Sequence, residues 1–132
     1  MQTNWTQEQI NAFSKADDLY ISPFYDDGKT PGTPTWIWSV VVDNHLFVRA
    51  YNGQHSRWYK SVVKLRAGII NLAGQEYNVI FQPINSYSTL TEKIDNAYKE
   101  KYATSRYLAS MLGTGPVSAT VKILFRNEQN DF

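Results

Sequence analysis

Residues 44–75 contain no aspartate or glutamate, yet they hold Arg49, Arg57, Lys60, Lys64 and Arg66, together with both histidines, His45 and His55. The whole chain carries a formal charge of only +1, so the remainder is acidic and the positive charge is local. The segment runs Arg49, then Tyr51-Asn52-Gly53-Gln54-His55-Ser56, then Arg57, Trp58 and Lys60. That order reads as a strand end, a glycine-containing loop and the start of a helix. Free N–H groups at a helix start attract anions, and glycine lets a ligand approach the main chain closely. Arg49, Arg57 and Lys60 are therefore expected to grip a phosphate, with Asn52, Gly53 and Ser56 adding main-chain or short polar contacts. Charge-assisted hydrogen bonds contribute ~1.5–3 kcal/mol each, whereas micromolar binding needs ~8 kcal/mol net. Something flat and apolar must be buried as well, and Trp36, Trp38, Tyr51, Trp58 and Tyr59 are the nearby aromatics. The competing reading makes Arg57, Lys60 and Lys64 the solvated stripe of an amphipathic helix whose other side is Trp58, Val62 and Leu65.

Other chemistry is sparse. Cysteine is absent, which removes disulfides, thiolate zinc sites and cysteine nucleophiles. No stretch matches a phosphate loop, a dinucleotide fingerprint or a nucleophile elbow. His45 and His55 stand ten residues apart with no carboxylate placed to complete a metal site, so no metal is expected. Asp95, Tyr98 and Tyr102 share a helical face and read as a hydrogen-bonded anchor rather than a proton-transfer set. No residue is assigned a catalytic role, and any reaction would be performed by a cofactor. Near-neutral charge argues against a nucleic-acid partner. The longest apolar run, Trp36–Val42, is far shorter than the ~20 residues that span a bilayer. With no basic, apolar leader after Met1, the expectation is a cytoplasmic protein away from membranes.

The elements that position these residues are legible from periodicity. With 132 residues, the chain is expected to form one domain, 1–132. Thr6 and Gln9 have capping-box spacing, with Trp5 and Ile10 placed as a hydrophobic staple, so a helix runs from Thr6 to about Asp18. Strands are expected over Leu19–Phe24, Thr35–Val42, His45–Tyr51, Gly68–Leu72, Gln75–Pro83 and Ala119–Phe125. Asp43-Asn44 and Ala73-Gly74 are the tight turns between neighbours. In the strand His45–Tyr51, Leu46, Val48 and Ala50 face one way and Phe47, Arg49 and Tyr51 the other. Helices are expected near Ser56–Arg66, after a second capping box at Thr89 and Glu92, and over Ser105–Leu112, where Gly113-Thr114-Gly115-Pro116 acts as a stop. The resulting architecture is α+β: a mainly antiparallel, six-stranded split β-barrel with flanking helices.

With these pieces assembled, residues from about 5 to 125 resemble a bacterial family labelled a domain of unknown function, itself similar to the flavin- and deazaflavin-binding split β-barrels that include the deazaflavin-dependent nitroreductases. The resemblance rests on Trp5, Trp36-Ile37-Trp38-Ser39-Val40-Val41-Val42, Leu46-Phe47-Val48-Arg49-Ala50-Tyr51-Asn52-Gly53 and Arg57-Trp58-Tyr59-Lys60. It continues through Gly68-Ile69-Ile70, Ile94-Asp95-Asn96-Ala97-Tyr98-Lys99-Glu100-Lys101-Tyr102 and Ala119-Thr120-Val121-Lys122-Ile123. It implies a homodimer that holds a flavin (FMN) or deazaflavin at Arg49, Tyr51, Asn52, Gly53, Ser56, Arg57, Trp58 and Lys60, with oxidoreductase chemistry supplied by the ring. The chain departs from the nitroreductase pattern at Asp26-Asp27-Gly28-Lys29-Thr30 and has no arginine in Thr35–Val42. Two alternatives stand beside the cofactor reading: a non-enzymatic module for a small anion or metabolite, and a structural dimer without ligand.

Overall fold

The computed structural model describes residues 2, 4–84 and 89–126. In chain order the elements are α1 (Gln7–Lys15), β1 (Tyr20–Pro23), β2 (Thr35–Trp36), β3 (Ser39–Val42), β4 (His45–Arg49), a 3-10 turn (Gly53–His55), α2 (Arg57–Leu65), β5 (Ala67–Leu72), β6 (Gln75–Ile84), α3 (Thr89–Lys101), α4 (Leu108–Met111), α5 (Thr114–Ser118) and β7 (Thr120–Phe125). The strands form one antiparallel sheet in the order β2-β1-β5-β6-β7-β4-β3.

That order forces the sheet to curl. β2 and β3 lie at opposite edges, but the chain passes from Trp36 to Ser39 through Ile37 and Trp38 alone. Three Cα steps reach about 11 Å at most, whereas the outer strands of a flat seven-stranded sheet would stand roughly 29 Å apart. The edges must come together, giving a half-barrel whose seam is Ile37-Trp38. The single strand expected over Thr35–Val42 is thus two strands, and the sheet has seven strands rather than six. An unbroken apolar run reads the same whether it continues in one strand or changes edges.

Residues from β1, β4, β5, β6 and β7 fill the inside of the curl: Ile21, Leu46, Val48, Ile70, Leu72, Val79, Phe81, Val121 and Ile123 are all buried, with Ile10 and Phe13 of α1 and Tyr59 and Val62 of α2 joining them. A second cluster lies outside the curl, where Ile94 and Tyr98 of α3 and Tyr102 just beyond its end cover Trp38, Val40, Val42 and Phe47. The alternation expected in β4 therefore holds, and it sends Arg49 towards α3 rather than into the barrel.

Local signals explain most boundaries. The Thr6 hydroxyl accepts from the Gln9 N–H at 3.1 Å and the Gln9 side chain accepts from the Thr6 N–H at 2.9 Å, closing the capping box. Both expected turns adopt positive φ, at Asp43 and Asn44 and at Ala73 and Gly74. Two expectations change. Thr89 is the first helical residue of α3 rather than its cap, and the position before it lies outside the described residues. Gly113-Thr114-Gly115-Pro116 does follow the end of α4 at Met111, but it opens α5 as well. Proline is at home there, because first-turn N–H groups have no intrahelical partner to lose.

Candidate functional site

The site begins where β4 ends. Arg49 is completely buried, and its guanidinium is spent on the fold. One nitrogen meets Asp95 of α3 at 2.6 Å, and Nε donates to the Thr120 hydroxyl at 3.1 Å, which donates onward to the Val117 carbonyl at 2.8 Å. The cation also lies over the Tyr98 ring, 5.3 Å from its centre. Removing two charges from water is offset only when each finds a partner, and here the partner is Asp95 on a neighbouring element.

Asp95 and Tyr102 hold the expected hydrogen-bonded anchor, each with its own partner, while Tyr98 contributes buried packing. Asp95 takes Arg49, while Tyr102 donates to Asp17 at 2.7 Å and stacks on Trp38 with ring centres 4.0 Å apart. Tyr98 is buried without a hydrogen bond of ordinary geometry at its hydroxyl. Burial pushes the Tyr98 hydroxyl well above the usual tyrosine range, with the Arg49 guanidinium and main chain pulling the other way. Tyr102 is also pushed up, first by burial and then by the bond it donates to Asp17. Both phenols stay protonated at neutral pH.

Beyond Arg49 the chain crosses the 3-10 turn and enters α2, and a cavity of about 440 Å³ opens between this stretch, the barrel seam and α4. Its walls are Thr35, Trp36, Ile37 and Trp38 of the seam, Arg49, Tyr51, Asn52, Ser56, Arg57 and Trp58 of the strand–loop–helix segment, and Tyr107 and Met111. A volume of this order suits a small molecule. Trp36 is 47% exposed although its indole donates to the Asp17 carbonyl at 2.8 Å, so the ring is fixed yet uncovered. Tyr51 and Tyr107 meet edge to face across the opening. Among the described residues, the only charged side chains in the lining are Arg49 and Arg57, with no carboxylate, imidazole or lysine beside them.

The start of α2 is chemically open. Ser56 occupies the N-cap position, but its side chain makes no capping bond to the first turn. The residue is only 8% exposed and lines the cavity. Arg57, beside it, has no ion-pair partner among the described residues.

Six of the eight expected site residues thus surround one hollow: Arg49, Tyr51, Asn52, Ser56, Arg57 and Trp58. The other two do not. Gly53 is buried with φ +69, and a Cβ there would stand 3.3 Å from the Gly115 carbonyl oxygen, so its missing side chain makes room for α5 rather than for a ligand. Lys60, one turn further along α2, is exposed and outside the lining. The sequence reading missed Thr35, Ile37, Tyr107 and Met111, and named Trp36 and Trp38 only as nearby flat surface. No local pattern marks these residues. Thr35 and Ile37 join the site because the seam returns to the end of β4, and Tyr107 and Met111 because the α4 stretch borders the same opening.

A second hollow of about 280 Å³ is lined by Ser14, Val40, Val41, Ala97, Glu100 and Lys101. The Lys101 ammonium already donates to the Ala16 and Ser39 carbonyls, each at 2.7 Å, and more weakly to Phe13. Burial lowers its pKa against the pull of Asp17 and Asp18. It ties the end of α1 to β3, a structural task.

Fold and site together define an α+β half-barrel domain with an aromatic cavity at the barrel seam. The chain belongs to the family described as uncharacterized proteins conserved in bacteria (DUF2255), whose model matches residues 9–123. Comparison with curated proteins and with solved structures gave no match. Among the described residues no group of three or more histidines, cysteines or carboxylates is placed to hold a metal ion, and no helix is long and apolar enough to cross a membrane.

Proposed function

We propose that the protein binds a small molecule with a flat ring in the seam cavity, the ring lying against the indoles and a negative group turned towards Arg57. The observation that carries this reading is the lining itself: Trp36, Trp38 and Trp58 from two separate chain segments meet at one opening beside Arg57, which has no ion-pair partner among the described residues. A flavin or deazaflavin is the ring that the sequence resemblance implies, and such a ring brings its own redox chemistry. The chain's part is to bind and orient it, since among the described residues the lining holds no carboxylate, imidazole or lysine.

The second reading, a non-enzymatic module for an aromatic metabolite, is favoured by the pairing of Arg49 with Asp95, which leaves less positive charge for a phosphate than the sequence suggested. Native mass spectrometry of freshly purified protein, followed by titration with riboflavin, FMN and a deazaflavin under tryptophan fluorescence, separates the two. A retained or tightly bound isoalloxazine-type ring supports the cofactor reading. No retained ring and no quenching by any of the three removes it and leaves the metabolite reading. The same mass spectrum reads out the homodimer that the resemblance implies.

A further inference from the structure

The cavity's charges do not match a phosphate tail. A phosphate monoester carries about −1.5 to −2 at pH 7 and is commonly cradled by a glycine-containing loop whose N–H groups face it. Here Gly53 is turned against Gly115, Lys60 lies outside the lining, and Arg49 is neutralised by Asp95. What remains is one guanidinium, Arg57, next to the uncapped first turn of the nine-residue helix α2 and the Ser56 hydroxyl. That hydroxyl belongs to a residue more than nine-tenths buried that lines the cavity; it makes no capping bond and has no hydrogen-bond partner among the described residues. A lone serine at an N-cap normally turns back to bond the helix; this one leaves both its own hydroxyl and the turn's N–H groups for a visitor.

We infer that the seam cavity takes an aromatic carboxylate, its ring against the indoles and its carboxylate held by Arg57, the Ser56 hydroxyl and the first turn of α2. A carboxylate is planar and singly charged, and it accepts from a guanidinium fork side-on. The inference rests on the seam cavity being a ring-binding site and adds the class of its ligand.

A matched set of probes tests it: naphthoate, naphthamide and naphthyl phosphate share a ring and differ in charge. Binding is followed through the indole N–H signals in two-dimensional NMR. Trp36, Trp38 and Trp58 border the cavity, while Trp5 donates to the Ile123 carbonyl away from it and serves as the internal control. Naphthoate is expected to shift the three cavity indoles and spare Trp5, to bind roughly ten- to a hundredfold more tightly than naphthamide, and to bind at least as well as naphthyl phosphate. Arg57→Ala should abolish the preference over the amide and Ser56→Ala should reduce it. Equal binding of acid and amide, or clearly tighter binding of the phosphate, overturns the carboxylate assignment while leaving the ring site standing. No shift at the cavity indoles with any of the three overturns the ring site and the assignment together.

Discussion

Arg49 and Arg57 stand eight residues apart on the wall of one cavity, and their circumstances are opposite. Arg49 is sealed from solvent, paired with Asp95, bonded to Thr120 and laid over Tyr98. Arg57 is exposed and has no ion-pair partner among the described residues. The same contrast separates the starts of two helices: α1 is closed by a reciprocal Thr6–Gln9 box, whereas α2 has serine at the corresponding position and no capping bond. A residue's value to a ligand is set by whether the fold has already consumed its hydrogen-bonding capacity. Sequence displays the inventory and structure the remainder.

The most forceful way to break this contrast is to strand Arg49. Asp95→Ala leaves a fully buried guanidinium without its counter-charge, a change that costs about 3–5 kcal/mol in buried pairs. Because the Asp95 side chain is 27% exposed, the lower end is expected. Urea denaturation monitored by far-UV circular dichroism reads it directly. A loss below about 1 kcal/mol would mean that Arg49 is free to turn to other partners, and it would then count as ligand-available charge like Arg57.

These outcomes bear on what the sequence could tell. The acid-free segment located one wall of the cavity, because a charge run and a strand–loop–helix order are local features. The alternation in β4 even placed Arg49 on the face opposite Leu46, Val48 and Ala50. What stayed hidden depended on distant pairing. Asp95 lies 46 residues beyond Arg49, and nothing near either residue announces that one neutralises the other. The break between Trp36 and Ser39 was equally silent, since Trp36–Val42 is apolar on both sides of it. Gly53 shows a third kind of limit: a buried positive-φ glycine looks alike from sequence whether a ligand or another helix fills the space beside it.

The sealed side of the comparison should also reveal itself in alkali. Tyr98 and Tyr102 titrate above the ordinary tyrosine value of 10.0 in the folded protein, chiefly because both are buried. Above pH 10 the unfolded chain releases these protons while the folded one keeps them, so stability is intact below that pH and falls as pH rises further. The slope approaches about 1.4 kcal/mol per pH unit for each such tyrosine. Urea midpoints measured from pH 9 to 11 check this. Tyr102→Phe should flatten the decline, and an equal slope in that variant would show that Tyr102 titrates normally and is less enclosed than its packing on Trp38 and its bond to Asp17 indicate.

Between the two helix starts, the closed one should be costly to open. Thr6→Ala removes the acceptor that holds the Gln9 N–H, and losing a capping side chain costs about 1 kcal/mol. Its effect is local: α1 carries Ile10 and Phe13 into the barrel interior, so the loss should appear as a lower midpoint with an unchanged denaturant slope. A neutral result would mean that the Trp5 packing against Phe13 and Tyr77 holds the start of α1 without the box.

The sharpest test has the smallest expected effect. Ser56→Ala alters the same structural position in α2 as Thr6→Ala does in α1, yet no capping bond exists there to be lost. Stability should stay within about 0.5 kcal/mol of the parent protein, or rise slightly as an unpaired hydroxyl leaves a mostly buried site. The pair of variants is read in one urea series, so conditions cancel. A cost near that of Thr6→Ala would establish that the Ser56 hydroxyl caps its helix in solution, and the two helix starts would then be alike. A null effect on stability joined to weaker binding of an aromatic carboxylate would locate the serine's contribution in the ligand complex, where its unspent hydrogen bond finds a partner.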